Sequence, residues 1–325
     1  MLALAEFPAW YWVGFIVAVT IFIAVDLGLF HRQAHVVGFK EALIWTAVWG
    51  ALAVVFAAAL SVLRGRKDAV QFFTGYFLEL SLSVDNVFVI VLVFTYFRVS
   101  PEFQHRVLIW GVLGALFMRG VMIWLGAELI DRFDWVLYWF GAFLVLTGLK
   151  MLFQKDGGSD PEKSLVVRVA RKLLPISAEF DGQKFVTKVN GRKMLTPLFL
   201  VLLVVETTDL VFAVDSIPAV FGVTRKAFIV FTSNVFAILG LRSLYFVLAG
   251  AIGLFRYLKV GISVVLAFIG GKMLIDPHDH PARWFQWDMP DHVALLCVVG
   301  IIAASVLASM AATALERRGG GAAKP

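Results

Sequence analysis

Long stretches of apolar residues, separated by short polar segments, recur along the whole chain. Each stretch has about 20 residues or more, the length that an α-helix needs to cross the hydrocarbon core of a bilayer. The pattern predicts an all-α polytopic membrane protein with nine spans, at about residues 10–30, 42–63, 70–95, 107–130, 135–153, 196–222, 227–254, 257–275 and 292–315. The first stretch has no basic segment before it, so we expect it to be a span and not a cleaved signal peptide.

The composition agrees with this prediction and excludes other classes of protein. Of the 325 residues, 60% are hydrophobic and 16% are charged, whereas soluble domains carry about 25% charged residues. We therefore expect no conventional cytosolic enzyme, no organic cofactor and no nucleic-acid partner. The single cysteine, Cys297, excludes a disulfide within the chain and a metal site built from four thiolates.

The distribution of Lys and Arg predicts the orientation. With the N-terminus outside, 18 of the 29 basic residues fall in cytoplasmic loops and the tail, seven fall in outer loops and four lie within spans. Cytoplasmic loops of membrane proteins carry an excess of basic residues. We expect a multi-pass protein of the bacterial inner membrane with its N-terminus outside and its C-terminus in the cytoplasm.

One sizeable segment, 154–195, lies outside the predicted spans. Residues 164–174 form a predicted basic amphipathic helix, with Leu165, Val166, Val169 and Leu173 on its apolar side. The pair Asn190-Gly191 predicts a β-hairpin with a type I′ turn. We interpret this segment as a charged cytoplasmic linker at the membrane surface, with a gating or regulatory element as the alternative.

An internal repeat divides the chain. Residues 79–87 match residues 209–217 at an offset of 130, residues 117–120 match 240–243 at 123, and residues 148–152 match 270–274 at 122. The repeat unit has three spans, an odd number, so the second copy must enter the membrane in the opposite direction. Transporters built from such inverted repeats bind substrate at the midplane between the copies. The predicted parts are two N-terminal spans (1–69), repeat 1 (70–153), the linker (154–195), repeat 2 (196–275), and a final span with the tail (276–325).

Acidic residues inside the spans are the main candidates for chemistry. Five carboxylates would cost roughly 12–18 kcal/mol if each uncompensated charge costs about 2.5–3.5 kcal/mol, as much as the whole stability of a typical domain, about 5–15 kcal/mol. They must therefore be paired, protonated or in contact with water. They are Glu79, Asp85, Glu206, Asp209 and Asp215.

The spacing of these acids limits how they could bind an ion. Glu206 and Asp209 are three residues apart and share a helix face. Glu79 and Asp85, like Asp209 and Asp215, are six apart, so both members of a pair could bind one ion only if the helix is interrupted. Otherwise a second site is needed. Oxygen ligands without Cys or His favour Mn²⁺, Ca²⁺ or Mg²⁺ over Zn²⁺ or Cu²⁺, and Asn86 and Ser216 add further oxygens.

Basic residues within the spans offer a simpler explanation, in which Arg119, Arg242, Lys150 and Lys272 neutralise the acids. The two lysines lie near span ends, where extension to the interface would account for them. The two arginines would then leave an excess of acids, which suits a cation path with Arg119 and Arg242 as counter-ions. Asp26 is either an interfacial charge or part of this path. Asn234 is expected to bond between helices more than to bind an ion.

These motifs resemble the paired signatures of the TerC/Alx family of bacterial membrane proteins. The resemblance is carried by residues 79–87 and 206–219, supported by 26–32 and 196–199, and it extends from about residue 10 to 315. The family is similar to manganese exporters and is named for tellurium resistance. The resemblance implies Mn²⁺ efflux, with the ion path surrounded by Glu79, Asp85, Asn86, Asp209, Asp215 and Ser216.

The sequence therefore predicts a secondary transporter that exports divalent cations, Mn²⁺ before Ca²⁺, in exchange for protons. Protons are a natural counter-ion because carboxylates in apolar surroundings can bind them near neutral pH. One alternative is a membrane scaffold for a tellurium-resistance or envelope-stress complex. Another is an intramembrane aspartyl protease using Asp85 and Asp215, but the Gly-x-Gly-Asp motif of such proteases is absent at both positions.

Overall fold

The computed structural model describes residues 7–25, 38–153, 165–249, 257–275, 287 and 289–320. These residues form ten helices and one two-stranded sheet. In chain order the elements are α1 (Ala9–Val25), α2 (Phe39–Arg64), α3 (Arg66–Tyr96), α4 (Pro101–Arg132), α5 (Val136–Phe153), α6 (Leu165–Leu173), β1 (Val186–Val189), β2 (Arg192–Leu195), α7 (Pro197–Phe221), α8 (Ala227–Ala249), α9 (Leu258–Ile275) and α10 (Asp291–Gly320).

Eight of these helices, all except α1 and α6, are long and apolar enough to cross a membrane. Helix α1 is apolar throughout, and its 17 residues are at the short limit for a span. The all-α polytopic class is thus confirmed. The ends follow local sequence signals, since proline opens α4 and α7 and Gly65, at φ +102°, separates α2 from α3.

Corresponding helices of the two predicted repeats run in opposite directions. The start of α3 lies beside the end of α7, because Lys226 Nζ is 2.7 Å from Asp68 Oδ1 and Thr224 Oγ1 donates to Gln71 Oε1 at 2.8 Å. An inverted repeat requires this antiparallel relation. A two-fold relation between the complete repeats stays a prediction.

Helices α5 and α9, the third helices of the two repeats, cross at glycines with their backbones in contact. A Cβ added at Gly141 would lie 2.9 Å from the carbonyl oxygen of Gly270, and one added at Gly148 would lie 2.6 Å from that of Ser263. At the repeat offset of 122, Gly148 corresponds to Gly270 and Gly141 to Ser263. The two close contacts are therefore equivalent positions of the predicted repeat.

The linker folds as a helix and a hairpin, as its sequence predicts. Asn190 and Gly191 both have positive φ, which the type I′ turn requires. Asp181 accepts hydrogen bonds from Thr187 Oγ1 at 2.8 Å and Lys184 Nζ at 3.1 Å, and these donors hold the pKa of its carboxyl below the ordinary value.

The apolar side of α6 that the sequence indicates is not the side that packs against the spans. Val167 and Ala170 are buried against the ends of the spans, whereas Val169 and Leu173 are exposed. The reason is that α6 has two apolar faces, and the smaller side chains of the helix fit against the neighbouring spans.

Candidate functional site

Arg119, in the middle of α4, connects the two predicted repeats through a polar network. Its side chain is 2% exposed. Nε and Nη2 donate to the two carboxylate oxygens of Asp209, at 3.1 and 2.9 Å, and Nη1 donates to Asn234 Oδ1 at 2.8 Å and to Ser216 Oγ at 3.2 Å. Arg119 also forms an ion pair with Glu79. Four helices, α3, α4, α7 and α8, therefore meet at one guanidinium.

Two side-chain amides complete the network. Asn234 Nδ2 donates to Glu79 Oε2 at 3.2 Å, and Asn86 Nδ2 donates to Asp209 Oδ1 at 3.3 Å. The bidentate geometry at Asp209 is the strong form of an arginine–carboxylate pair. Arg119 thus neutralises one of the two carboxylate charges of Glu79 and Asp209, and Asn234 bonds between helices as expected.

A small cleft adjoins this network, and its empty space of about 440 Å³ includes open solvent. Its lining comes from the halves of α3, α4, α7 and α8 that end near the β-hairpin, so the cleft lies on the hairpin side of Arg119. The polar lining residues are Asn86, Glu206, Thr208, Asp209 and Arg242, and the others are apolar. The predicted shared face of Glu206 and Asp209 therefore lines the cleft.

Glu206 is half-buried in this cleft. Its carboxylate lies against the backbone of α4 at Gly114, where an added Cβ would be 2.0 Å from Oε1. Among the described residues, no hydrogen bond or ion pair to this carboxylate is found. Glu206 thus differs from Glu79 and Asp209, both of which contact Arg119.

A second oxygen in the cleft, Oδ1 of Asn86, also accepts no hydrogen bond from the described residues. The side chain of Asn86 is 4% exposed, so this oxygen is buried. A buried polar atom without a partner costs about 1–3 kcal/mol, and such atoms call for a water or an ion. An amide oxygen beside a carboxylate is a ligand pair that hard cations accept.

Within the described ranges, no three Asp, Glu, His or Cys side chains are placed to hold a metal ion together. A cation in the cleft would therefore depend on amide, hydroxyl and water oxygens as well as carboxylates. Mn²⁺ and Mg²⁺ sites commonly keep water ligands.

Asp215 and Asp85 lie apart from the Arg119 network. Asp215 is half-buried, forms a side-chain hydrogen bond with Thr147 of α5 and lies near Lys150. Asp85 is half-buried on α3, and its side chain is not without interaction partners. Both α3 and α7 are continuous helices, and α7 passes through Pro218. The structure therefore does not contain the interrupted helices that would bring acids six residues apart onto one ion.

The other charged residues that the sequence singled out differ in their burial and position. Arg242 is half-buried and lines both the cleft and a neighbouring one beside Trp49. Lys150 is exposed near a helix end, as expected. The expectation for Lys272 is wrong, because its side chain is buried and its Nζ lies 3.4 Å from the carbonyl oxygen of Gly222. Asp26 lies outside the described residues.

Comparison with known proteins identifies the family. Residues 64–317 match the family described as "Integral membrane protein TerC family". The chain belongs to the TerC family.

Relatives of this TerC-family chain align over nearly its whole length. It is 50% identical over 299 residues to the uncharacterized membrane protein STKORF319 of Myxococcus xanthus, covering 92% of this chain and 91% of that protein. It is 46% identical over 300 residues to Alx of Escherichia coli K12, named as a candidate membrane-bound redox modulator, covering 90% and 91%. It is 36% identical to a Rickettsia felis membrane protein, covering 92% and 97%. No solved structure matches.

The opposite side of the TerC-family fold is closed by packing and polar contacts. Buried residues of α7 and the following turn fill this end. Gln71 bonds both Thr224, at 2.8 Å, and Asp291, at 2.9 Å, and Lys226 pairs with Asp68. Arg119 therefore stands between the cleft on the hairpin side and a packed, hydrogen-bonded end on the other side.

Three features of the site were not predicted from the sequence. The approach of Glu206 to Gly114 leaves no sequence signal, because Gly114 is one of 27 glycines. The partner of Asp215, Thr147, is on a helix with no acidic motif. Thr208 could have been found, since it lies between Glu206 and Asp209 in the second signature.

Proposed function

We propose that this protein is a secondary transporter that exports divalent metal cations, Mn²⁺ above all, across the bacterial inner membrane. The observation that carries the proposal is the cleft beside Arg119. There the carboxylate of Glu206 and Oδ1 of Asn86 lack partners among the described residues, next to Asp209 and Thr208.

The charge and chemistry of the cleft support a hard cation. The carboxylates of Glu79, Asp209 and Glu206 outnumber the guanidiniums of Arg119 and Arg242 by one. The available ligands are carboxylate, amide and hydroxyl oxygens, which suit Mn²⁺, Ca²⁺ and Mg²⁺, whereas Zn²⁺ and Cu²⁺ favour nitrogen and sulfur. The family resemblance favours Mn²⁺ within this group.

The position of the cleft supports export. If the N-terminus is outside, as the Lys and Arg distribution predicts, the hairpin side faces the cytoplasm. A cation would enter the cleft from the cytoplasm while the contacts of Asp68 and Gln71 keep the other end closed. Movement of one repeat against the other would then open that end, and a proton returning to a carboxylate would release the cation.

The alternative is a membrane scaffold that transports nothing. In that case the charged network would serve only stability, and flux would be absent from intact protein. The name of the Alx relatives raises a redox function as well. With Cys297 as its single cysteine, one copy of this chain cannot cycle between a dithiol and an internal disulfide.

The test is metal flux in liposomes that contain the purified full-length protein. Mn²⁺, Ca²⁺, Mg²⁺ and Zn²⁺ are compared, with and without a pH gradient, for the wild type, Asp85→Asn, Asp215→Asn and Glu206→Gln. We expect Mn²⁺ flux by the wild type and its loss in folded Glu206→Gln. Flux unaffected by the pH gradient would contradict proton exchange, and no flux of any cation by intact protein would support the scaffold.

A further inference from the structure

Helix α6 has three distinct faces. With about 100° between successive residues, Val167 and Ala170 lie together on the face packed against the spans, where they are 1% and 4% exposed. Val169 and Leu173 form a second apolar face, 48% and 73% exposed. The third face is basic and consists of exposed Arg168, Arg171 and Lys172.

Contacts with the spans place α6 and the hairpin at the depth of the membrane surface. Val167 and Ala170 join an apolar cluster with Val99 and Leu198, which lie next to Pro101 and Pro197, the first residues of two spanning helices. The guanidinium of Arg106 lies 5.3 Å from the ring centroid of Phe185. The segment cannot therefore extend freely into the cytoplasm.

The second apolar face of α6, formed by Val169 and Leu173, is not covered by protein in the described part of the chain. Other exposed apolar side chains lie near it. On the nearby hairpin, Val186 and Val189 are 49% and 40% exposed. Apolar side chains at this depth reach the boundary between headgroups and acyl chains, which is where interfacial helices insert theirs. The adjacent lipid is the occupant that fits this face.

We propose that α6 is an interfacial anchor that inserts Val169 and Leu173 among the lipids and binds anionic lipid phosphates through Arg168, Arg171 and Lys172. The basic face lies beside the apolar one, so both can reach the same leaflet at once. Each basic side chain near an anionic surface is worth roughly fivefold in binding. This assignment does not depend on the transport proposal.

Insertion is tested by fluorescence quenching in nanodiscs made with brominated lipids. The full-length protein carries Cys297→Ser and a single bimane-labelled cysteine at Leu173→Cys or Arg171→Cys. We expect quenching at position 173 to exceed that at 171 by about threefold or more, because only the apolar face enters the acyl region. Equal quenching at both positions would overturn the insertion.

Headgroup recognition is tested by hydrogen exchange of residues 165–174 in the full-length protein. Exchange should be about tenfold slower in nanodiscs that contain phosphatidylglycerol than in phosphatidylcholine alone, and high salt should remove the difference. The triple variant Arg168→Gln, Arg171→Gln, Lys172→Gln should abolish it.

The matched control removes three charges from the hairpin, Lys188→Gln, Arg192→Gln and Lys193→Gln, and should keep the lipid effect. Inorganic phosphate added to phosphatidylcholine nanodiscs should not reproduce it. The same exchange in both lipids, an unchanged effect in the α6 triple variant, or protection by free phosphate would each overturn the proposal.

Discussion

Arg119 and Arg242 hold matching positions in the two predicted repeats, 123 residues apart, yet their surroundings differ. Arg119 is buried and contacts Glu79, Asp209, Ser216 and Asn234. Arg242 is half-buried and lines two clefts. The same residue type thus joins four helices in one repeat and borders two clefts in the other.

Matching positions of the predicted inverted repeat can therefore lie in unlike surroundings. If the repeats were in identical surroundings, both arginines would be equally enclosed. Under the transport proposal, this asymmetry would correspond to one of two alternating states.

The largest effect is expected at Arg119. Arg119→Gln leaves Glu79 and Asp209 buried without a cation, and breaking a buried pair costs about 3–5 kcal/mol. Arg242→Gln should cost less, because Arg242 is half-buried whereas Arg119 is fully enclosed. Thermal unfolding of the purified proteins in detergent measures both, and equal losses of Tm would contradict the different roles assigned to the arginines.

The crossing of α5 and α9 provides an adjacent pair of glycines. A Cβ added at Gly270 would lie 2.6 Å from the carbonyl oxygen of Gly141. A Cβ added at Gly271 would have no heavy atom of another part of the described chain within 4 Å. Gly270→Ala should lower stability by about 1–3 kcal/mol, and Gly271→Ala should raise it by about 0.5–1 kcal/mol. If the repeat positions are equivalent, Gly148→Ala should match Gly270→Ala in Tm; a much smaller loss at Gly148 would count against equivalence.

Gly114→Ala tests the position of the Glu206 carboxylate. The added Cβ displaces the flexible end of that side chain and not a backbone, so stability should change less than for Gly270→Ala. Mn²⁺ flux in liposomes should fall about tenfold, which corresponds to 1.4 kcal/mol in the barrier. Gly271→Ala is the control, and normal flux in Gly114→Ala would show that the carboxylate position is unimportant.

The smallest effect is expected at the closed end. Asp68→Asn and Lys226→Met each remove the 2.7 Å pair, in which Lys226 is partly exposed. A double-mutant cycle on Tm should give a coupling of about 0.5–1 kcal/mol. A coupling of zero would remove this pair from the contacts that close the end opposite the cleft.

Much of the fold could be predicted because a membrane imposes simple rules. The apolar stretches located the helices to within a few residues, and Asn190-Gly191 located the hairpin. The face of α6 could not be predicted in the same way. Helix α6 has two apolar faces, and which of them is buried depends on the shape of the neighbouring spans, which the sequence of α6 does not specify.

The candidate site was predicted only as a set of residues. The acids and arginines were found because charges in spans are costly, but their pairing depends on helix rotation and register, which the motifs do not specify. Arg119 therefore contacts Glu79 and Asp209, whereas Asp215 faces Thr147. The exposure of Glu206 to the cleft depends on Gly114, a small residue with no signature.

The most direct measurement is Mn²⁺ binding to the purified protein, followed by the loss of the free-ion signal in electron paramagnetic resonance. We expect binding by the wild type and by Glu179→Gln, which removes an exposed carboxylate from the linker. Binding by folded Glu206→Gln should be at least about tenfold weaker, since one carboxylate ligand is lost. Equal Mn²⁺ affinity in Glu206→Gln and the wild type would contradict the assignment of the cleft as the cation site.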